Sequence, residues 1–243
     1  MTAIQVIQFT QNPRKWRILA EGIGLTAQGE ANDSWSEFDG RGMLAVHGVE
    51  SSDPLAGTAE IWMLVDDAAA LDALESRATA EGVAIARGEM EGIGATLQIS
   101  VDDVTTVHVA VGAARPPHGD VSLLPLIFTA DVDGASRVLT ALGLTLKITS
   151  DSGGWAVFDA KGGGSIALHD IGSASNPVAN RVGLSFEHRG DLDAAAERLT
   201  ASGIDSTVVD EAYNRTLRAT TPEGSQLWVN GAQTDLYGYT ENS

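Results

Sequence analysis

The sequence contains itself twice, and that repeat limits the fold more than any composition figure does. Trp35-Ser-Glu-Phe-Asp39-Gly-Arg-Gly-Met-Leu-Ala-Val-His47 returns as Trp155-Ala-Val-Phe-Asp159-Ala-Lys-Gly-Gly-Gly-Ser-Ile-Ala-Leu-His169. Each copy reads as an aromatic strand, a turn rich in Gly and charge, and a second strand ending in His. The second copy carries two extra residues in the turn, where a hairpin tolerates insertion. The match continues outward through Phe9-Thr10 with Phe128-Thr129, Gly24-Leu25-Thr26 with Gly143-Leu144-Thr145, and Val107-His108-Val109 with Leu227-Trp228-Val229. The offset stays between 119 and 122 over the 243 residues. So small a drift means duplication.

Each half divides again. Ile4–Thr10 reads as an apolar strand. Asn12 is a candidate N-cap and Pro13 suits the first helical turn, where its missing N–H costs nothing. Trp16, Leu19, Ala20 and Ile23 then recur at helical spacing, with Gly22 or Gly24 as terminator, and three strands follow up to Val49. The same order restarts at Glu60–Val65, at Leu124–Thr129 with a helix capped by Asp131, and at Asn180–Glu187 with a helix begun by Asp191. The expected chain is four βαβββ units. Gly112–Val121, rich in Pro and Gly, reads as the join.

Composition then removes several function classes. Fifteen Lys and Arg against thirty-three Asp and Glu give a net charge of −18, which argues against a nucleic-acid partner. There is no Cys, so disulfides and thiolate metal sites are excluded. No apolar run is long enough to cross a bilayer, and the first residues lack the pattern of a secretory signal. A cytoplasmic, acidic protein is expected. No Gly-x-Ser-x-Gly elbow is present, and Gly162-Gly-Gly164 precedes a strand, not a helix N-terminus, so it is no phosphate cradle.

The fourfold βαβββ pattern, with Thr221-Pro222-Glu223-Gly224-Ser225 before the last strand, resembles the vicinal oxygen chelate superfamily of glyoxalases, bleomycin-resistance proteins and extradiol dioxygenases. In that family two units form one cup-shaped mixed sheet with helices on its convex side. The resemblance therefore implies an α+β chain with two cups, 1–113 and 121–232, joined by a linker over 114–120 and followed by a tail over 233–243. The tail segment Thr234–Tyr239 carries two of the three Tyr and would cover a cup mouth or a domain interface.

Catalytic members of the family hold a divalent metal inside a cup, with ligands from the first, fourth, fifth and eighth strands. Alternate strand residues share a face, so such strands can converge on one ion. The resemblance places Gln5, Glu60 and His108 at metal positions in the first cup, with Ala45 at the fourth-strand position and His47 two residues on. In the second cup the matching places hold Leu124, Ala167 and Trp228, with His169 nearby, and no metal is expected there. Trp35, Trp62, Trp155 and Trp228 all fall on expected strands. Pocket-lining candidates are His47, Trp62, His108, His169 and Trp228, since a Trp on a concave sheet offers a flat wall for a flat organic ligand.

Three functions follow as expectations. The first is binding of a small flat organic molecule without metal or other cofactor, in the manner of the bleomycin-resistance branch. The second is a metal-dependent lyase, isomerase or dioxygenase with one divalent ion in the first cup. The third is a non-catalytic interaction module whose cups are filled by side chains. The expected partner is a small molecule, not nucleic acid or a membrane, and assembly as a homo-oligomer stays open.

Overall fold

The computed structural model describes residues 1–30, 32–173, 181–211, 214–233 and 235–242. The first half runs β1 (Thr2–Thr10), α1 (Pro13–Ile23), β2 (Thr26–Gln28), β3 (Trp35–Gly40), β4 (Gly42–Gly48), β5 (Ala59–Val65), α2 (Ala68–Ala80), β6 (Ile85–Met90), β7 (Gly94–Ser100) and β8 (Thr106–Val111). These strands form one eight-stranded sheet, ordered β2-β3-β4-β1-β5-β8-β7-β6. The expected βαβββ order is present twice.

The second half repeats that order with two breaks and one addition. It runs β9 (Val121–Leu123), β10 (Leu126–Thr129), α3 (Val132–Ala141), β11 (Thr145–Ser150), β12 (Trp155–Asp159), β13 (Ser165–Asp170), β14 (Val182–Gly183), β15 (Ser185–His188), α4 (Leu192–Ala201), β16 (Ser206–Asp210), β17 (Arg215–Thr220), β18 (Gln226–Gly231) and β19 (Tyr239–Glu241). Its strands fall into a six-stranded sheet, β14-β10-β13-β12-β11-β19, and a five-stranded sheet, β16-β17-β18-β15-β9. The unit's first strand is divided at Leu124-Pro125 because proline has no N–H to give the ladder. Leu124 still donates its N–H to the Ser185 carbonyl at 3.0 Å, so the two sheets remain joined at the break. Asn180, expected to open the fifth strand of this half, lies outside the described residues.

Local chemistry explains the helix ends. Pro13 opens α1 and Gly24 closes it at φ 108°, which favours glycine. Asp131 accepts from the Gly134 N–H at 2.8 Å and Asp191 from the Asp193 N–H at 2.9 Å, both as expected. Asn12 occupies the N-cap position of α1 without a side-chain capping bond. The Thr10 hydroxyl instead accepts from the Asn12 N–H at 2.9 Å.

Strand alternation sorts residues between helix layer and cup. Ile4, Val6, Ile61, Met63, Val107 and Val109 join the buried clusters that contain the helices. Gln5, Ile7, Phe9, Trp62, His108 and Ala110 alternate with them and face the other way, into the first cup. The helix layers of the two halves pack together. One core joins α2 and β5–β8 to α3 and β12–β13, and the other joins α1 and β4 to α4, β17 and β18.

The halves are related by an approximate twofold, visible in paired contacts. The Arg198 Nε on α4 donates to the Gly22 carbonyl at the end of α1 at 3.1 Å. The Arg77 Nε on α2 donates to the Ala141 carbonyl at the end of α3 at 2.8 Å. The Arg41 N–H, in the β3–β4 turn, donates to Val121 O of β9 at 2.7 Å, while the Ile4 N–H of β1 donates to Gly163 O of the β12–β13 turn at 2.9 Å. Gly42 and Gly164 meet between these contacts, and a Cβ on Gly42 would lie 3.0 Å from the Gly164 Cα.

Candidate functional site

The centre of the first cup is a row of three residues on adjacent strands. Gln5 of β1 stands opposite Trp62 of β5, and Trp62 stands opposite His108 of β8. The Trp62 indole and the His108 imidazole are stacked, with centroids 4.7 Å apart and planes at 18°. Glu60 lies two residues before Trp62 on the same face. Its carboxylate accepts from the Trp62 Nε1–H at 3.1 Å.

His108 Nδ1 is buried and has no hydrogen-bond partner among the described residues. Burial holds the imidazole pKa below its ordinary value, while the Glu60 carboxylate pulls the other way. The ring is therefore neutral near pH 7 and keeps a lone pair, as a metal ligand requires. A cavity of ≈ 340 Å³ opens beside this pair, lined by Thr58, Glu60, Thr105, Thr106 and His108, with Arg181 from the second half on its wall.

The structure thus brings Glu60 and His108 together, while Trp62 stands between Gln5 and His108 in the row. Gln5 shares their face but is separated from His108 by a full strand, roughly 9–10 Å between backbones. Among the described residues no group of three or more His, Asp or Glu is arranged to hold a metal ion. The donor chemistry of Glu60 and His108 still suits a divalent ion, with the unpartnered Nδ1 as the clearest sign.

His47 and His169 occupy equivalent places. His47 lies against Phe9 at 5.4 Å and Trp35 at 5.5 Å, and His169 against Phe128 at 5.6 Å and Trp155 at 5.5 Å. His169 Nδ1 is 2.8 Å from the Asp170 carbonyl. In the second cup Trp228 holds the place of His108, is 41% exposed, and donates from Nε1 to Gln226 at 2.9 Å. Ser185 stands opposite Trp228, where the first cup has Trp62.

Two roles escaped the sequence. Glu223, singled out only as part of the turn before the last strand, accepts from the Thr10 hydroxyl and from Trp16 Nε1, the latter at 2.9 Å to Oε2. Burial pushes the pKa of Asp102, in the matching turn of the first half, upward, but bonds from the Val104 N–H, from Thr129 of the other half and from Thr105 together hold it below its ordinary value. The motif is a clasp between halves, and the spacing of Thr10 with Thr129 was its only sequence trace. Arg115, in the join, pairs with Glu37 and Asp39 of β3. Nothing in its neighbourhood of the sequence signals this.

No family model and no curated protein matches the sequence. Solved structures do match in fold. A catechol 2,3-dioxygenase has 16% identity and a TM-score of 0.64, covering 99% of this chain and 94% of its own. A Mn(II)-bound glyoxalase from Novosphingobium aromaticivorans has 16% identity and a TM-score of 0.61 over 95% of this chain and 81% of that one. Homoprotocatechuate 2,3-dioxygenase from Arthrobacter globiformis has 14% identity and a TM-score of 0.58 over 94% and 78%. The fold is that of the vicinal oxygen chelate proteins. The expectation that no cofactor is involved is corrected by these matches, since the glyoxalase of this fold is Mn(II)-bound. No helix among the described residues is long and apolar enough to cross a membrane.

Proposed function

We propose that the chain is a metal-assisted enzyme acting on a small organic molecule, and that its working site is the cavity beside Glu60 and His108 in the first cup. The observation that carries this reading is the buried, unpartnered Nδ1 of His108 next to the Glu60 carboxylate. A buried polar atom without a partner is costly and calls for an explanation. A divalent ion supplied to these two donors would polarise neighbouring oxygens of a bound molecule as a Lewis acid. The dioxygenases and the Mn(II) glyoxalase of the same fold support the reading.

The chain's own residues would share the remaining work. Trp62 fixes both donors, one by its N–H and the other by its face. Glu60 keeps a second carboxylate oxygen able to accept a proton from a substrate hydroxyl. Arg181 offers a cation on the cavity wall, suited to a substrate with an anionic group.

Titration of chelator-treated protein with Mn(II), Fe(II) and Zn(II), followed by calorimetry, tests this. The unaltered chain should bind one equivalent, and His108→Ala and Glu60→Gln should each weaken binding at least tenfold with the circular dichroism spectrum unchanged. Absence of saturable binding, or unaltered affinity in both variants, would remove the proposal.

A further inference from the structure

The two helix pairs that join the halves are related by the approximate twofold but are not filled alike. Between α1 and α4, Leu199 occupies the space over Gly22, where an added Cβ would lie 2.5 Å from the Leu199 Cδ2. Between α2 and α3 the equivalent residues are Ala78 and Ala141. The arginine bonds fix this equivalence. Arg198, just before Leu199, donates to the Gly22 carbonyl, as Arg77, just before Ala78, donates to that of Ala141. The second pair thus has a small side chain where the first has a leucine.

A cavity of ≈ 660 Å³ opens beside this second pair, between the end of α2, the loop after it and α3. It lies on the helix side of the sheets, away from both cups. Leu146 and Phe158, opposite each other on β11 and β12, line it and belong to the core that contains α2 and α3. Val83 and Val138 add apolar wall. Two guanidinium groups line the same space. Arg77 is held by its Nε and Nη2, which donate at 2.8 Å to the Ala141 and Leu142 carbonyls, and its Nη1 has no hydrogen bond among the described residues. Arg137 has neither hydrogen bond nor ion pair among the described residues, in a chain with thirty-three acidic side chains. Glu81 is the one carboxylate lining the cavity, so the local charge is positive where the whole chain stands at −18.

We infer that this cavity binds a small amphipathic carboxylate, with its apolar body on Leu146 and Phe158 and its carboxylate on Arg77 and Arg137. The volume is that of an ordinary small-molecule site. An apolar body removes water from the floor, and guanidinium groups match a carboxylate with paired N–H donors. Arg77 is already oriented by the carbonyls it caps, so less side-chain freedom is lost on binding. Because α2 belongs to the first half and α3 to the second, the bound molecule bridges the halves. This inference does not depend on the reading of Glu60 and His108.

The test is calorimetric titration of the full chain with decanoate. A saturable site should appear, and decanol, with the same tail and no charge, should bind at least tenfold more weakly. Arg137 is exposed, so Arg137→Glu should keep the fold and weaken decanoate binding at least tenfold. In the unaltered chain, saturating decanoate should slow hydrogen exchange of the Gly82, Val83 and Ala84 amides and of α3 at least threefold, with β1 and β5 unchanged. This last measurement needs no variant. Absence of saturable binding, equal affinity for decanol, unaltered affinity in Arg137→Glu, or protection confined to the cup strands would overturn the proposal.

Discussion

The Trp62 indole lies parallel to the His108 imidazole, 4.7 Å away, in the middle of the first cup. One side chain therefore sets the position of both candidate donors, because its N–H also holds Glu60. Trp62→Phe keeps a ring over His108 and removes the bond to Glu60. A hydrogen bond to a charged group contributes about 1.5–3 kcal/mol, less where the group is partly solvated. The variant should lose about 1 kcal/mol in urea denaturation. It should also bind divalent metal more weakly than the unaltered chain, and equal metal affinity would show that Trp62 does not position Glu60.

Glu223 is expected to hold the halves together. Trp16 is 2% exposed, and Glu223→Ala leaves its N–H without an acceptor. The cost should be about 1–3 kcal/mol. Glu223→Gln retains an acceptor oxygen and should lose clearly less. Chemical denaturation of the two variants side by side gives the comparison.

The approximate twofold passes between Gly42 and Gly164. Gly42 has φ 94°, and a Cβ there would also lie 3.0 Å from the Ile4 carbonyl oxygen. Gly42→Ala should therefore cost at least about 2 kcal/mol, from backbone strain and crowding together. Gly29, at φ 65° with nothing near its Cβ position, serves as the control. Gly29→Ala should cost about 1 kcal/mol, from backbone strain alone. Thermal melts that show equal losses would mean that contact at the axis is unimportant.

His188 is 5% exposed, and burial holds its pKa below the ordinary value, against the pull of Asp120. The unfolded chain therefore takes up this proton first as pH falls. Stability contributed by keeping His188 neutral is intact above about pH 6.5 and is lost as pH drops through that value toward the folded pKa. His188→Gln should flatten the acid limb of stability between pH 7 and pH 5. Urea midpoints at three pH values in that range would measure the change in slope.

Much of the architecture was legible because duplication repeats every local signal. The Pro13 start, the Asp131 and Asp191 caps and the period-two strands appear where expected. The equivalence of His47 and His169 followed from the repeat once the insertion was placed in the turn. The break at Pro125 was readable in principle, since proline interrupts a ladder wherever it falls. The candidate site was less legible. The family resemblance put Gln5, Glu60 and His108 at metal positions, but it could not show that Trp62 would stand between two of them.

By itself the sequence determined the four units and their order, because these depend on spacing within a few residues. Only the tertiary structure decided that Glu223 clasps Trp16, that Arg77 and Arg198 cap each other's opposite halves, and that Tyr239 packs on the second cup. Those contacts join residues far apart in the chain. Their partners are selected by the packing of two helix layers and the path of the tail, which no local pattern encodes.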